Sequence, residues 1–400
     1  MSEAALSGVK VISFGAFVAG NTAAKVLADL GADVVKIEPH SRPEVLRYPS
    51  YAIGVPVTEP SGVPNTVMYA DLIRGARSLS LDLEVPAARP VFHSLVSRAD
   101  IVIENFGGAV LDHWGCSYRE LLDDNPRLVM LSLSGYGRSG PRKGYLAYAS
   151  TICSYIGLSS AWGYAHGTLT DYVTAVTGSL AALSALTRAR REGTPEYLDV
   201  AQIEAMATML AGLYADPLNS GLECDWTSNR VPGSLLSGVF RCRGHESWLA
   251  LEIEDLHDWT TLCRLLERPD LAAASAEQAQ ELEGALRAEM EAWLAPHSAH
   301  TAMHLLQKEG LAAAVVQSSE DIWRDSQLRV RAFGEAVTQL DLGTVTYPTS
   351  PQRWTKTPGS TRQPPPRLGQ HTNAVLREWI DLSEEDLESL AASRAIFDAG

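Results

Sequence analysis

The first forty residues constrain the fold most, because they spell strand, loop, helix, strand in immediate succession. Residues 9–14 (VKVISF) are mainly apolar, and 15–20 (GAFVAG) form a glycine-bounded loop. Residues 22–30 carry Ala, Val and Leu at helical spacing, and Gly31 follows as a helix-ending glycine. Residues 32–37 (ADVVKI) are again apolar. Strands of this kind, separated by a helix, belong to a parallel sheet covered on both faces, an α/β fold.

The alternation continues. Helices are expected over 86–97 and 118–123, and strands over 101–104 and 128–133. The turn-rich SGYGRSGP at 134–141 lies at a strand's carboxyl end, where ligands of open α/β sheets collect. Val173, Val176, Leu180, Leu183 and Leu186 mark a helix over 171–191, stopped by Gly193 and Pro195. A second helix is expected over 200–214, then a polar linker over 217–233. Two strands around the turn Arg243-Gly244-His245-Glu246 and helices near 256–266, 281–294 and 299–309 suggest a separate smaller domain. A polar stretch at 317–329 leads out of it, 348–369 is Pro-rich, and 372–379 is a short helix. At 400 residues the chain exceeds one ordinary core, which fits two domains.

A net charge of −15 argues against general binding to nucleic acid or to anionic membranes. The five cysteines form no CxxC pair, which fits a reducing compartment better than a disulfide framework or a zinc site. The N-terminus has no basic-then-apolar signal pattern, and no uninterrupted apolar run is long enough to span a bilayer. The expected location is the cytoplasm.

Several residues could carry chemistry. GAFVAG with Glu38 sits where a dinucleotide-binding loop would, but its glycines lack the GxGxxG spacing. A doubly wound sheet with another ligand is the better reading. Asp171 stands in the first turn of its helix, after Thr168 and Thr170. It can be a structural cap, or an ionised nucleophile toward an acyl group. Arg47, Arg74 and Arg77, with Lys36 and Arg138, are either solvated charges or a phosphate cluster. His40, His93, His113 and His166 lack metal spacing, and His166 could pair with Asp171 as acid and base.

Taken together, six segments resemble the class III coenzyme A-transferase family, of the formyl-CoA and carnitine CoA-transferase type. They are LSGVKVISFGAFVAGNTAAKVLADLGADVVKIEPHSRPEVLR, RGARSLSLDL, ADIVIENFGGAVLDHWGCSYREL, NPRLVMLSLSGYGRSGP, GTPEYLDVAQIEA and PPPRLGQHTNAVL. The resemblance implies a Rossmann-like large domain built from both chain ends (1–216 and 326–400) with a smaller α+β domain inserted between them (217–325). It implies an interlocked homodimer. It makes Asp171 the catalytic aspartate and Val18, Ala19, Glu38, Arg47, Arg74, Asn105 and Phe106 the coenzyme A contacts. The implied reaction moves coenzyme A from an acyl-CoA to a carboxylic acid through an aspartyl anhydride and an aspartyl-CoA thioester, with no metal or redox cofactor. Asn21 and Ala76 replace the family's usual Pro and Lys, and the segment before Asp171 is short. A glycine-rich loop used by some formyl-CoA transferases is not found. Two alternatives share the family: a 2-methylacyl-CoA racemase using a His/Asp pair, and a non-catalytic subunit of a heteromer. In the racemases a histidine stands where this chain has Tyr148, whose phenol is a poor proton acceptor at neutral pH.

Overall fold

A computed structural model describes residues 4–48, 66–108, 110–159, 168–212, 214, 230–231, 233–339, 342–357 and 363–399. His166 and most of the expected linker at 217–233 lie outside these residues. The chain divides into two compact units, one of residues 1–156, 165–211 and 329–400, the other of 157–164 and 212–328.

The larger unit is built on β1 (Lys10–Ser13), α1 (Ala19–Asp29), β2 (Asp33–Ile37), α2 (Val67–Ile73), β3 (Arg77–Leu81), α3 (Ala88–Val96), β4 (Ile101–Glu104), α4 (Tyr118–Asp124) and β5 (Val129–Ser134). It continues with α5 (Ala149–Tyr155), α6 (Leu169–Glu192), β6 (Glu196–Ala201) and α7 (Gln202–Met209). The strands β3-β2-β1-β4-β5-β6 pair in parallel, in that order. Near the carboxyl end of the chain, Ile396–Phe397 (β12 in chain order, after the five strands introduced below) adds to β3 antiparallel.

Alternate residues of the strands feed two cores. Ile12, Val35, Leu79, Val102 and Met130 face one side, with Phe92, Leu95 and Trp379 from the covering helices. Val11, Val34, Ile101, Val129 and Leu131 face the other, with Leu27 of α1 and Ala175, Ala182 and Leu186 of α6. This is why the strands read as continuous apolar runs. Small residues let α6 sit close to the sheet. A Cβ on Gly178 would stand 2.7 Å from Leu133 Cδ2.

The expected helix over 200–214 is corrected in its first part. Residues 196–201 form the edge strand β6, and the helix begins only at Gln202. Glu196 and Asp199 interrupt its apolar residues, so no continuous apolar run announces it. Strand β3 was likewise not anticipated, because Ser78 and Ser80 interrupt its apolar residues. Both serines are buried beneath the chain's last segment, where Gly369 N–H donates to Ser78 Oγ at 2.9 Å and Ser80 N–H donates to Thr372 Oγ1 at 3.0 Å.

The smaller unit has its own antiparallel sheet of β7 (Leu236–Arg241), β8 (Trp248–Ile253) and β9 (Ala312–Val315). Helices α8 (Leu256–Leu265), α9 (Ala276–Leu294) and α10 (Ala299–Lys308) cover it, and Trp259, Leu262, Leu286 and Met290 fill its core. Back in the larger unit, β10 (Gly334–Gln339) and β11 (Gly343–Pro348) form a hairpin, and α11 (Thr372–Ile380) packs by β3.

Candidate active site

Strand order reverses between β1 and β4, since β2 and β3 lie to one side and β5 and β6 to the other. At such a switch point the loops leaving the two strands part and open a crevice. Here those loops are residues 14–18 and 105–108.

The first loop is clamped on every side. Asn105 accepts from Ala16 N–H at 2.6 Å through Oδ1 and donates from Nδ2 to Ala16 O at 2.8 Å. Lys36 Nζ donates to Gly15 O, and Phe17 N–H donates to Glu44 Oε2 at 3.1 Å. Asn21 Nδ2, from the first turn of α1, reaches back to Phe17 O at 2.6 Å. The glycines serve backbone packing. A Cβ on Gly15 would meet Gly20 C at 2.4 Å, and one on Gly20 would meet Gly15 Cα at 2.5 Å.

Asp171 is partly buried in the first turn of α6. The backbone N–H groups of Ala19, the first residue of α1, and of Asp171 itself lie near its carboxylate and favour its ionised form. Gln202, the first residue of α7, donates from Nε2 to Asp171 Oδ1 at 3.1 Å. The first turns of α1 and α6 thus turn backbone N–H groups toward the carboxylate, and α7 adds the side-chain amide of its first residue. Burial, the largest influence, pushes the Asp171 carboxyl above the usual aspartate value, while these donors pull it back. The net direction is upward.

Beside the switch point lies a cavity of about 490 Å³ at the carboxyl ends of β1 to β4. Phe14, Phe17, Phe106 and Trp114 supply aromatic walls, and Arg42 lies exposed at its rim. A larger cavity, about 710 Å³, lies farther along the sheet among Tyr118, Arg138 and Tyr197. Asp171 lines neither, but Phe14, Ala16 and Phe17 of the first loop line only the smaller of the two, which is the better candidate.

The expected contact residues now divide. Val18, Ala19, Asn105 and Phe106 come together at the switch point, with Ala19 joined to Asp171. Glu38 borders the cavity but is held internally. Its carboxylate takes Arg47 Nε at 2.8 Å and Nη2 at 3.0 Å, Glu44 N–H at 2.7 Å and Tyr69 Oη at 3.2 Å. Burial would raise the Glu38 carboxyl, but Arg47, Lys36 and the Glu44 N–H outweigh it and hold it low.

Arg47 and Arg74 do not present their guanidinium groups to solvent, being 0% and 2% exposed. Arg47 is committed to Glu38. Arg74 bonds Asp71 at 2.9 Å and Pro348 O at 2.7 Å, tying α2 to the β10–β11 hairpin. Removing one partner of a pair as buried as Arg47–Glu38 costs about 3–5 kcal/mol. Each cation thus has carboxylates beside it, Glu38 for Arg47 and Asp71 and Asp29 for Arg74. Arg42 was not anticipated, because a lone surface arginine carries no sequence signal. Gln202 was missed for a similar reason, its partner lying 31 positions away.

Among the described residues no group of three or more His, Cys, Asp or Glu side chains could hold a metal ion. One helix, Leu169–Glu192, is long and apolar enough by length and composition to cross a membrane, and half of its most apolar window is buried in the fold.

Residues 6–372 match the family model described as CoA-transferase family III. The chain is 26% identical to a succinyl-CoA–D-citramalate CoA-transferase of Chloroflexus aurantiacus, over 98% of each chain. It is 27% identical to the β subunit of a succinyl-CoA–L-malate CoA-transferase of the same organism, again over 98% of each. Among solved structures, a CAIB/BAIF family protein from Brucella suis superimposes with a TM-score of 0.82 at 25% identity, covering 95% of this chain and all of that one. With the family model spanning nearly the whole chain and its relatives matching end to end, this protein belongs to CoA-transferase family III and is an enzyme of that class.

Proposed function

We propose that this enzyme moves coenzyme A from succinyl-CoA, or a close analogue, to a small dicarboxylic acid through covalent intermediates on Asp171. The observation that carries this reading is the carboxylate itself. It stands in the first turn of α6, near the backbone N–H of Ala19 that opens α1, and takes the Gln202 amide at 3.1 Å. The donors around it favour the ionised form and burial strips it of much of its water, which favours nucleophilic attack. The substrates are suggested by the relatives, which are named for succinyl-CoA with citramalate or malate.

The flat adenine of coenzyme A suits the aromatic walls of the 490 Å³ cavity, and Arg42 at its rim can meet phosphate. Val18, Ala19, Asn105 and Phe106 are the contacts to coenzyme A in this reading. Glu38, Arg47 and Arg74 act indirectly, by keeping this wall in place. Asp171 attacks the donor thioester, giving a mixed anhydride and coenzyme A thiolate. The thiolate attacks the aspartyl carbonyl, releases the donor acid and leaves an aspartyl-CoA thioester. The acceptor carboxylate then runs both steps in reverse. Acyl exchange between sulfur and oxygen moves no net electrons, so it calls for no redox cofactor. Each tetrahedral state needs N–H donors at its oxyanion, which helix N-termini supply.

Tyr148 favours transfer over racemisation. Its ring packs edge-on to Phe17 with centroids 5.9 Å apart, so a phenol stands beside the loop where a racemase needs a base. A homodimer in the cytoplasm is the assembly and location we propose. A heteromer is the second reading, favoured by the relative that is a β subunit.

The test is direct. Succinyl-CoA is incubated with citramalate, malate and related acids, and new thioesters are read by mass spectrometry. With hydroxylamine present, Asp171 should be trapped as a hydroxamate. Asp171→Ala should abolish transfer, by a factor of at least about 10⁴ as for loss of a nucleophile. Rapid deuterium uptake at the α-carbon of a 2-methylacyl-CoA, without hydroxamate, would instead move the protein to the racemases.

A further inference from the structure

Asp171 has two oxygens, and in the reaction above they do different work. One forms the bond to the acyl group. The other remains a carbonyl oxygen and takes up negative charge each time the aspartyl carbon is attacked. The structure distinguishes them, because Gln202 Nε2 sits 3.1 Å from Oδ1. The Gln202 residue is 8% exposed, so water competes poorly for this bond. Its backbone is fixed as the first residue of α7, directly after β6, which pairs with β5.

Resting on the aspartyl-transfer reading, we propose that Gln202 is a positioning residue that assigns these roles, holding Oδ1 as the carbonyl oxygen and stabilising the oxyanion formed there. Oδ2 is then left to attack the thioester carbon. The carbon–sulfur bond breaks, and its electron pair leaves with the coenzyme A sulfur. When that thiolate attacks Asp171 Cγ, the carbonyl π pair moves onto Oδ1, beside the Gln202 amide. The pair returns, the Cγ–Oδ2 bond breaks, and the donor acid departs as a carboxylate. Neither step moves a proton or changes an oxidation state. A neutral amide suits this position. A lysine or arginine would lock the resting carboxylate into an ion pair and blunt its attack, whereas an amide donates to an oxygen whose charge grows in the transition state.

A purely structural amide, pinning α7 to α6, would affect stability alone. The variants Gln202→Leu and Gln202→Asn separate the two roles, measured in the full-length protein with succinyl-CoA as donor. Leucine should lower kcat about 100-fold to 1,000-fold, as for loss of one oxyanion donor, and leave the KM for succinyl-CoA within about threefold. It should also shift the acid limb of the pH profile upward, because a donor to the ionised form is gone. Asparagine keeps the amide but shortens its reach, and should fall between. An isotope-edited infrared titration of the Asp171 carboxylate reads the same upward shift without turnover. Wild-type kcat and an unmoved titration in folded Gln202→Leu would overturn the proposal. If leucine prevents folding, Gln202→Met and Gln202→Asn carry the same measurements. An Asp171→Ala control separates the two levels. Full transfer in Asp171→Ala would remove the aspartyl reading itself. An inactive Asp171→Ala beside an unaffected Gln202→Leu would remove only the role of Gln202.

Discussion

In the proposed mechanism Asp171 must be both desolvated and ionised, and those demands oppose each other. Burial favours the neutral acid, and the N–H donors of Ala19, Gln202 and Asp171 itself offset only part of that. The consequence for stability has a definite sign. The folded-state pKa lies above the unfolded value, so this group's contribution is complete below the unfolded pKa and is lost as pH rises through the folded one. The ionised carboxylate therefore works against folding. Asp171→Asn should melt at a higher temperature than wild type at pH 7, and the gap should close as pH falls below the ordinary aspartate range. Thermal melts across pH check this, and an equal or lower melting temperature at pH 7 counts against it. Activity should have the complementary profile, falling on the acid side at a pH above the usual aspartate range, because protonation removes the nucleophile.

Among the elements, the turn from β1 into α1 does most to build the site. It carries Phe17 at a positive φ of 51° and brings Gly15 against Gly20, while Asn105 of the neighbouring loop clamps Ala16. Gly20→Ala tests which force governs here. Helix propensity alone favours alanine over glycine by about 1 kcal/mol. Against that, the new methyl would meet Gly15 Cα at 2.5 Å and Asn105 Oδ1 at 2.7 Å. Backbone cannot yield as a side-chain tip can, so we expect net destabilisation of about 1–3 kcal/mol, as for overpacking. Because the same shift would displace Ala19 from Asp171, transfer should fall more than stability alone explains. Calorimetry with parallel rate measurements decides, and a stabilised, fully active Gly20→Ala would refute this account of the loop.

At the scale of the whole molecule, one face of α6 next to Asp171 is apolar and exposed. Leu169, Tyr172, Val176 and Leu180 follow one another at helical spacing, with exposures of 50%, 42%, 57% and 67%. A stripe of this kind on a folded chain marks an association surface, which supports the proposed homodimer. Sedimentation should give twice the 43.2 kDa chain mass, and the paired change Val176→Glu with Leu180→Glu should shift it toward monomer. A stable, active wild-type monomer would exclude the dimer. A chain that gains activity only with a second, related subunit would favour the heteromer.

How much of this was legible in the sequence depends on how local each cause is. The strand–loop–helix–strand opening, the Asp171 helix and the helices of the smaller unit announced themselves through periodicities that a few consecutive residues carry. The resemblance to a known family pointed to Asp171, Val18, Ala19, Asn105 and Phe106 by position. The sequence could not say that β3 lies inside the sheet, because Ser78 and Ser80 are satisfied by residues nearly three hundred positions away. Nor could it say that Arg47 and Arg74 are turned inward, since an arginine is spelled alike whether its partner is a phosphate or a buried glutamate. The nearness of the α1 and α6 first turns at one carboxylate, and the amide of Gln202 upon it, exist only once the chain has folded. Local sequence determined which residues could carry the chemistry, and tertiary packing decided which charges were left free to do so.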